Sequence, residues 1–108
     1  MPRFVVLEHC LPPGHARDLH WDLMLEAPGG LRTWALSAAP ASGAQIAAEQ
    51  LPPHRIEFLD YQGPVSGGRG SVQRWDQGSF RWLVDVPQRV EIHFQGSRLS
   101  GRAVLEQL

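Results

Sequence analysis

His9, His20 and Asp22 are the residues whose types and spacing could do metal chemistry in this chain. In the run LHWDLMLE, His20, Asp22, Met24 and Glu26 alternate with Trp21, Leu23 and Leu25. Alternation of period two is the pattern of a strand, where successive side chains point to opposite faces. His20 and Asp22 then share one face, and both can reach a single divalent cation. His9 ends a preceding apolar run, FVVLEH, and can add a third ligand from a neighbouring strand. Two imidazoles and a carboxylate suit a borderline first-row metal and leave coordination positions open for water or substrate. A His–Asp pair on a strand is also a common surface hydrogen-bonded pair, so geometry must decide between the two.

The elements that must position these groups read as short strands. Residues 3–9 form a buried strand, 11–18 a loop with two prolines and a glycine, and 19–26 a second strand. Ala27-Pro28-Gly29-Gly30 is a turn signal, because proline presets φ and glycine tolerates a positive one. Residues 31–36 return as a third strand. Residues 38–51 read as a short helix or an edge strand: AQIAAEQL holds good helix formers but is short, and Pro52-Pro53 ends it. Residues 55–60 read as a short irregular strand and 63–70 (GPVSGGRG) as a loop. Residues 71–75 and 79–84 are expected to flank Asp76-Gln77-Gly78 as a hairpin, and 89–94 and 98–105 to flank Gln95-Gly96-Ser97 in the same way. Gly101 suggests a bulge or a barrel corner. The expected architecture is all-β with minor α, a small closed antiparallel β-barrel with one short helix or edge segment.

A chain of 108 residues, 43% hydrophobic, holds one modest core, so residues 1–108 read as a single domain and a monomer. No apolar run approaches the ~18 residues of a membrane span, and the first residues lack a signal pattern. With one cysteine, Cys10, an intramolecular disulfide is impossible, and a cytoplasmic location is the simplest expectation. Cys10 adjoins His9 and could be a soft ligand, although a packed thiol is the commoner state. The formal net charge is −1, and all ten basic residues are arginine. There is thus no overall attraction to nucleic acid, and any such site must be a local cluster of guanidinium forks.

Six motifs run in order along the chain: FVVLEH (4–9), HARDLHWDLMLE (15–26), LRTWAL (31–36), HRIEFLDYQG (54–63), WDQGSF (75–80) and VEIHFQGSRLSGRAVL (90–105). Together they resemble the 3′-phosphoesterase domain of bacterial DNA ligase D, with this chain as a divergent, stand-alone member. HRIEFLDYQG, for example, resembles that family's H-P-x-x-Y-x-D-F-x-G stretch. The resemblance implies a small β-barrel that uses manganese; zinc is the other divalent ion that the two imidazoles and carboxylate would accept. Its implied reaction is removal of a 3′-terminal ribonucleoside or 3′-phosphate from a primer end. The implied metal ligands are His9, His20 and Asp22, the three already singled out by spacing, and His54 is the implied catalytic histidine at the phosphate. The implied partners are DNA 3′ ends or primer–template and a DNA ligase or repair protein.

Two positions depart from the family pattern. Met24 stands where the family has a phosphate-gripping arginine, and Phe58 where it has a catalytic tyrosine. Hydrogen bonds to charged groups are worth ~1.5–3 kcal/mol each, so losing both implies reduced or altered activity unless other groups substitute. Arg69 and Arg17 are the candidates for phosphate binding. Glu26 could orient a ligand, and His15 could be a fourth one; a solvated strand end and a loop histidine are the plainer readings of each.

Two other functions compete. One keeps the metal-site barrel without catalysis, as a degenerate relative that binds DNA ends or a repair partner, with Trp21, Trp75 and Trp82 stacking bases if exposed. The other joins His20 and Asp22 to His93, followed by Arg98 and Ser100, in the layout of iron- and 2-oxoglutarate-dependent oxygenases. A chain of this length leaves little room for that larger barrel.

Overall fold

The computed structural model describes residues 1–12 and 19–107. His15 and Arg17 lie outside the described residues. The chain forms β1 (Arg3–Cys10), β2 (Leu19–Ala27), β3 (Gly30–Leu36), β4 (Ala48–His54), a 3₁₀ turn (Ile56–Leu59), β5 (Gly63–Pro64), β6 (Ser71–Val86), β7 (Arg89–Gly96) and β8 (Ser100–Glu106). One antiparallel sheet runs in the order β4-β3-β2-β1-β6-β7-β8, with β5 paired to β6.

The sheet curls until strands far apart in its order meet. Arg32 on β3 ion-pairs with Asp85 on β6 at 2.9 Å, and its guanidinium lies 5.0 Å from the Trp82 ring centroid. Three steps of the sheet separate those strands, so only strong curvature brings them together. The expected closure is corrected here: among the described residues β4 and β8 do not pair, and the sheet is a half-barrel with two edges.

Both faces of this wall carry apolar residues. Phe4, Val6, Leu23, Leu25, Trp34, Leu36, Phe80, Val90, Ile92 and Phe94 form the inner core, with Trp21, Trp75 and Trp82 packed against it. The tryptophans therefore pack inward rather than standing free to stack on bases. On the outer face, Val5, Leu7, Met24, Leu31, Leu59 and Val72 form a smaller cluster, flanked by Phe58 and Val65. The register fixes this division, since Val5 pairs with Met24 and Leu7 with Asp22.

Three expectations for the local structure change. The segment open between helix and edge strand becomes the edge strand β4, which continues through Pro52 and Pro53 rather than stopping at them. Its ladder shifts register opposite Leu31 and Thr33, and an edge strand with a bulge does not need the proline N–H groups. Residues 56–59 form a 3₁₀ turn in place of an irregular strand. Asp76-Gln77-Gly78 is not a hairpin; it lies within the continuous 16-residue strand β6.

Gly78 serves contact rather than turning. A Cβ on Gly78 would sit 2.1 Å from the Gln95 carbonyl oxygen, so only glycine allows β6 and β7 to approach there. Asp76 is buried, and its Oδ1 accepts hydrogen bonds from the amides of Gln77, Ser97 and Arg98. Its Oδ2 accepts one from Leu99 at 2.8 Å. One carboxylate thus holds the β7–β8 turn against β6. Gly101 adopts φ +96° with no shift in its ladder, so it marks a left-handed position without a bulge.

Candidate metal centre

His9 and His20 face each other directly across β1 and β2, and Asp22 pairs with Leu7 one step along the same face. Ligand atoms of the three residues all lie within 4.8 Å of one another. His9 Nδ1 is 3.3 Å from Asp22 Oδ2, and His20 Nε2 is 3.1 Å from Asp22 Oδ1. The structure therefore brings together the three residues that spacing selected.

The glycine-rich loop orients the first of them. A Cβ on Gly70 would fall 1.8 Å from the Cys10 carbonyl oxygen, and Gly70 has φ +82°; both facts demand glycine. That close approach sets the Arg69 carbonyl 2.7 Å from His9 Nε2. A carbonyl only accepts, so Nε2–H of His9 must donate to it. In neutral His9 the lone pair then lies on Nδ1, facing the carboxylate. A metal-ligating histidine is held in the same way.

Electrostatics agree with this arrangement. The hydrogen bond to Asp22 raises the His9 imidazole above its ordinary 6.5, against the opposing effect of burial. Burial would lift the Asp22 carboxyl, yet the two imidazoles outweigh it and hold it below its ordinary 3.8. His20 and Asp22 are 7% and 3% exposed. Among the described residues, His20 Nδ1 and Asp22 Oδ1 are buried without a hydrogen-bond partner, although His20 Nε2 lies 3.1 Å from Asp22 Oδ1. A buried carboxylate oxygen lacking a donor beside two imidazoles fits a small divalent cation.

A pH dependence follows from these directions. A raised His9 stabilises the metal-free fold below pH 6.5, an advantage lost as pH rises through its folded pKa. A lowered Asp22 stabilises it above pH 3.8, an advantage lost as pH falls through its folded value. The pair thus contributes most between pH 3.8 and 6.5. Binding of a divalent cation such as Mn(II) at this group would require neutral His9 and should strengthen as pH rises through the raised pKa, with proton release. Calorimetry in two buffers of different ionisation enthalpy checks this, and a pH-independent affinity would contradict it.

The other candidates lie elsewhere. His54 pairs with Leu31, at the opposite end of β3 from Ala35, the partner of Asp22. Its Nδ1 donates to the Pro52 carbonyl at 2.9 Å, and its ring meets Phe58 edge-on at 5.9 Å. Met24 lies between these two ends of the outer face, 1% exposed. The Phe58 ring in turn meets Tyr61 edge-on at 5.9 Å, and the Tyr61 hydroxyl donates to the Pro64 carbonyl. A hydroxyl is therefore present one ring away from the Phe58 position, where it fixes the loop.

Arg69 contributes its carbonyl rather than its guanidinium, which is tied back to Ser66 O at 2.7 Å. No pattern of side-chain types could have marked that carbonyl. Glu26 accepts a hydrogen bond from the Arg3 amide at 2.9 Å and joins strand ends instead of the cluster. Cys10 is exposed and outside the ligand group. His93 lies on β7, three strands from β2, between Arg81 and Arg102. The oxygenase layout is therefore not assembled.

The fold and this cluster define a small antiparallel β protein with a His–His–Asp group on its outer wall. Residues 13–107 match the DNA Ligase D 3′-phosphoesterase domain, and the chain belongs to that family. It is 30% identical over 107 residues to the multifunctional non-homologous end joining protein LigD of Pseudomonas aeruginosa, covering 90% of this chain and 13% of that protein. It is 31% identical over 111 residues to the LigD DNA repair protein of Mycobacterium tuberculosis, covering 94% and 14%. The LigD protein of Mycolicibacterium smegmatis is 29% identical over 121 residues, covering 97% and 15%. The chain thus spans about one seventh of the length of these relatives.

Proposed function

We propose that the protein is a metal-dependent 3′-phosphoesterase acting on 3′ ends of DNA or RNA-tipped primers in end repair. The convergence of His9, His20 and Asp22 on one point carries this reading. Manganese is the proposed ion. Held there, a divalent ion would polarise a phosphoryl oxygen. Asp22 supplies the charge that favours a cation, and the Arg69 carbonyl keeps His9 Nδ1 turned toward it. His54, with Nδ1–H held by Pro52, would in its imidazolium form present Nε2–H to donate to a phosphate oxygen or to protonate a leaving group.

Met24 and Phe58 shape the expected rate. Both pack in or against the outer apolar cluster, so the family's cation and phenol are replaced by hydrocarbon. This favours a weak or altered enzyme, and it is also the observation behind a second reading, a binding module without turnover. Met24→Arg with Phe58→Tyr should raise cleavage of a 3′-phosphate or 3′-ribonucleotide primer by at least tenfold. It should also lower the melting temperature, because a position 1% exposed receives a charge. Turnover is measured with manganese against a metal-free control, with His54→Ala as the inactive reference. No turnover in either parent or double variant would leave the binding module as the better reading.

A further inference from the structure

Arg74 was not among the residues that the chain's motifs select, yet the sheet register places it on the metal face. The β1–β6 ladder shifts between Val6 and Leu7: Val6 pairs with Asp76, and Leu7 with Arg74. Trp75 is the extra residue of this bulge, and it packs against the inner core. Without the bulge Arg74 would point inward. With it, Asp22, Leu7 and Arg74 stand in one row across β2, β1 and β6. Strands lie about 4.8 Å apart, so roughly 10 Å separates Asp22 from Arg74 along that row.

The side chain between them, Leu7, is buried in the same cluster as Leu59, so Arg74 and the metal group are two separate points on one face. Gln62 Oε1 accepts from the Arg74 amide at 2.8 Å and fixes the strand there. The Arg74 Nε is buried and has no hydrogen-bond partner among the described residues. Asp60, an acidic group that feels its charge, is engaged with Arg3 at 2.7 Å. A charged fork with an unpartnered buried N–H, next to an acid already paired, is built to receive an anion.

We propose that Arg74 binds a backbone phosphate inboard of the 3′ end while the terminal phosphate lies at the His9–His20–Asp22 group. This rests on the end-processing reading above and deepens it. A separation of about 10 Å is too wide for one phosphate to bridge, so the second contact falls on a phosphate further along the same strand. The site would therefore prefer the end of a strand over a free phosphate or a mononucleotide, in a chain whose net charge of −1 provides no general attraction.

The test uses the Mn(II)-loaded full chain in a His54→Ala background, with a 3′-phosphorylated single-stranded 12-mer and inorganic phosphate as the two probes. Arg74→Gln should weaken the 12-mer roughly tenfold and reduce the slope of log affinity against log salt by about 0.7, the contribution of one phosphate contact on a single strand. Arg74→Lys should keep that slope, and Arg74→Met should behave as the glutamine variant. Inorganic phosphate affinity and the Mn(II) thermal shift should not change, which also certifies that the variants fold. An unchanged 12-mer affinity and slope in Arg74→Gln would overturn the proposal while leaving the end-processing reading intact. An equal loss for inorganic phosphate would overturn it too, because Arg74 would then serve the terminal phosphate. If the parent binds neither probe, the end-processing reading fails first and takes the proposal with it.

Discussion

Mn(II) at about a hundred times its dissociation constant should raise the melting temperature by about 10 °C, and Asp22→Asn should remove nearly all of that rise. A ligand that binds only the folded state adds about 2.7 kcal/mol at that saturation. In a domain of this size each kcal/mol moves the midpoint by about 4 °C or more. Asparagine keeps the shape of Asp22 but not its charge, and it removes the carboxylate that faces both imidazoles. Primer cleavage should fall with the thermal shift, by several orders of magnitude, since the phosphoryl oxygen would lose its polarising ion. Differential scanning fluorimetry with and without EDTA measures the first effect, and circular dichroism confirms the fold. A full shift surviving in Asp22→Asn would put the cation somewhere else in the molecule.

Asp76→Ala should be the most destabilising single change on the inner side, by about 3–5 kcal/mol, with a midpoint lowered by well over 10 °C. Its carboxylate accepts four backbone amides, those of Gln77, Ser97, Arg98 and Leu99. Alanine leaves these donors without an acceptor and leaves the β7–β8 turn without its tie to β6. Asp76→Asn should cost less, because one oxygen can still accept while the amide nitrogen opposes a donor. Chemical denaturation gives both values. The folded fraction of either variant should still bind Mn(II), since the metal group lies on the other face. A midpoint within about 2 °C of the parent for Asp76→Ala would refute the tie.

The alternation of residues 19–26 was legible because strand geometry translates period two into faces, so His20 and Asp22 were placed together from their spacing. His9 followed because β1 ends opposite the start of β2. What failed was legible only in three dimensions. WDQGSF has the composition of a turn, yet Gly78 is there because the Gln95 backbone lies too close for any Cβ. Pro52-Pro53 looked like a stop, and becomes a bulge in an edge strand that needs no donors there. Arg74 was invisible because one extra residue, Trp75, reverses which face it occupies. Closure of the barrel depended on whether β4 and β8 reach each other, which no local pattern encodes.

Because the wall is apolar on both sides, the molecule separates persistence from purpose. The inner core draws on five strands, with β8 packed against it, and most of what keeps the chain folded lies there. The outer cluster is smaller, and the candidate metal group His9–His20–Asp22 borders it. Substitutions on the two sides share few partners, so their effects on stability should be close to additive. A lineage could therefore exchange an arginine for methionine outside while the interior held the backbone in place. Such a protein can drift in what it does to a substrate long before it drifts in shape, and its outer wall is where to look for a changed appetite.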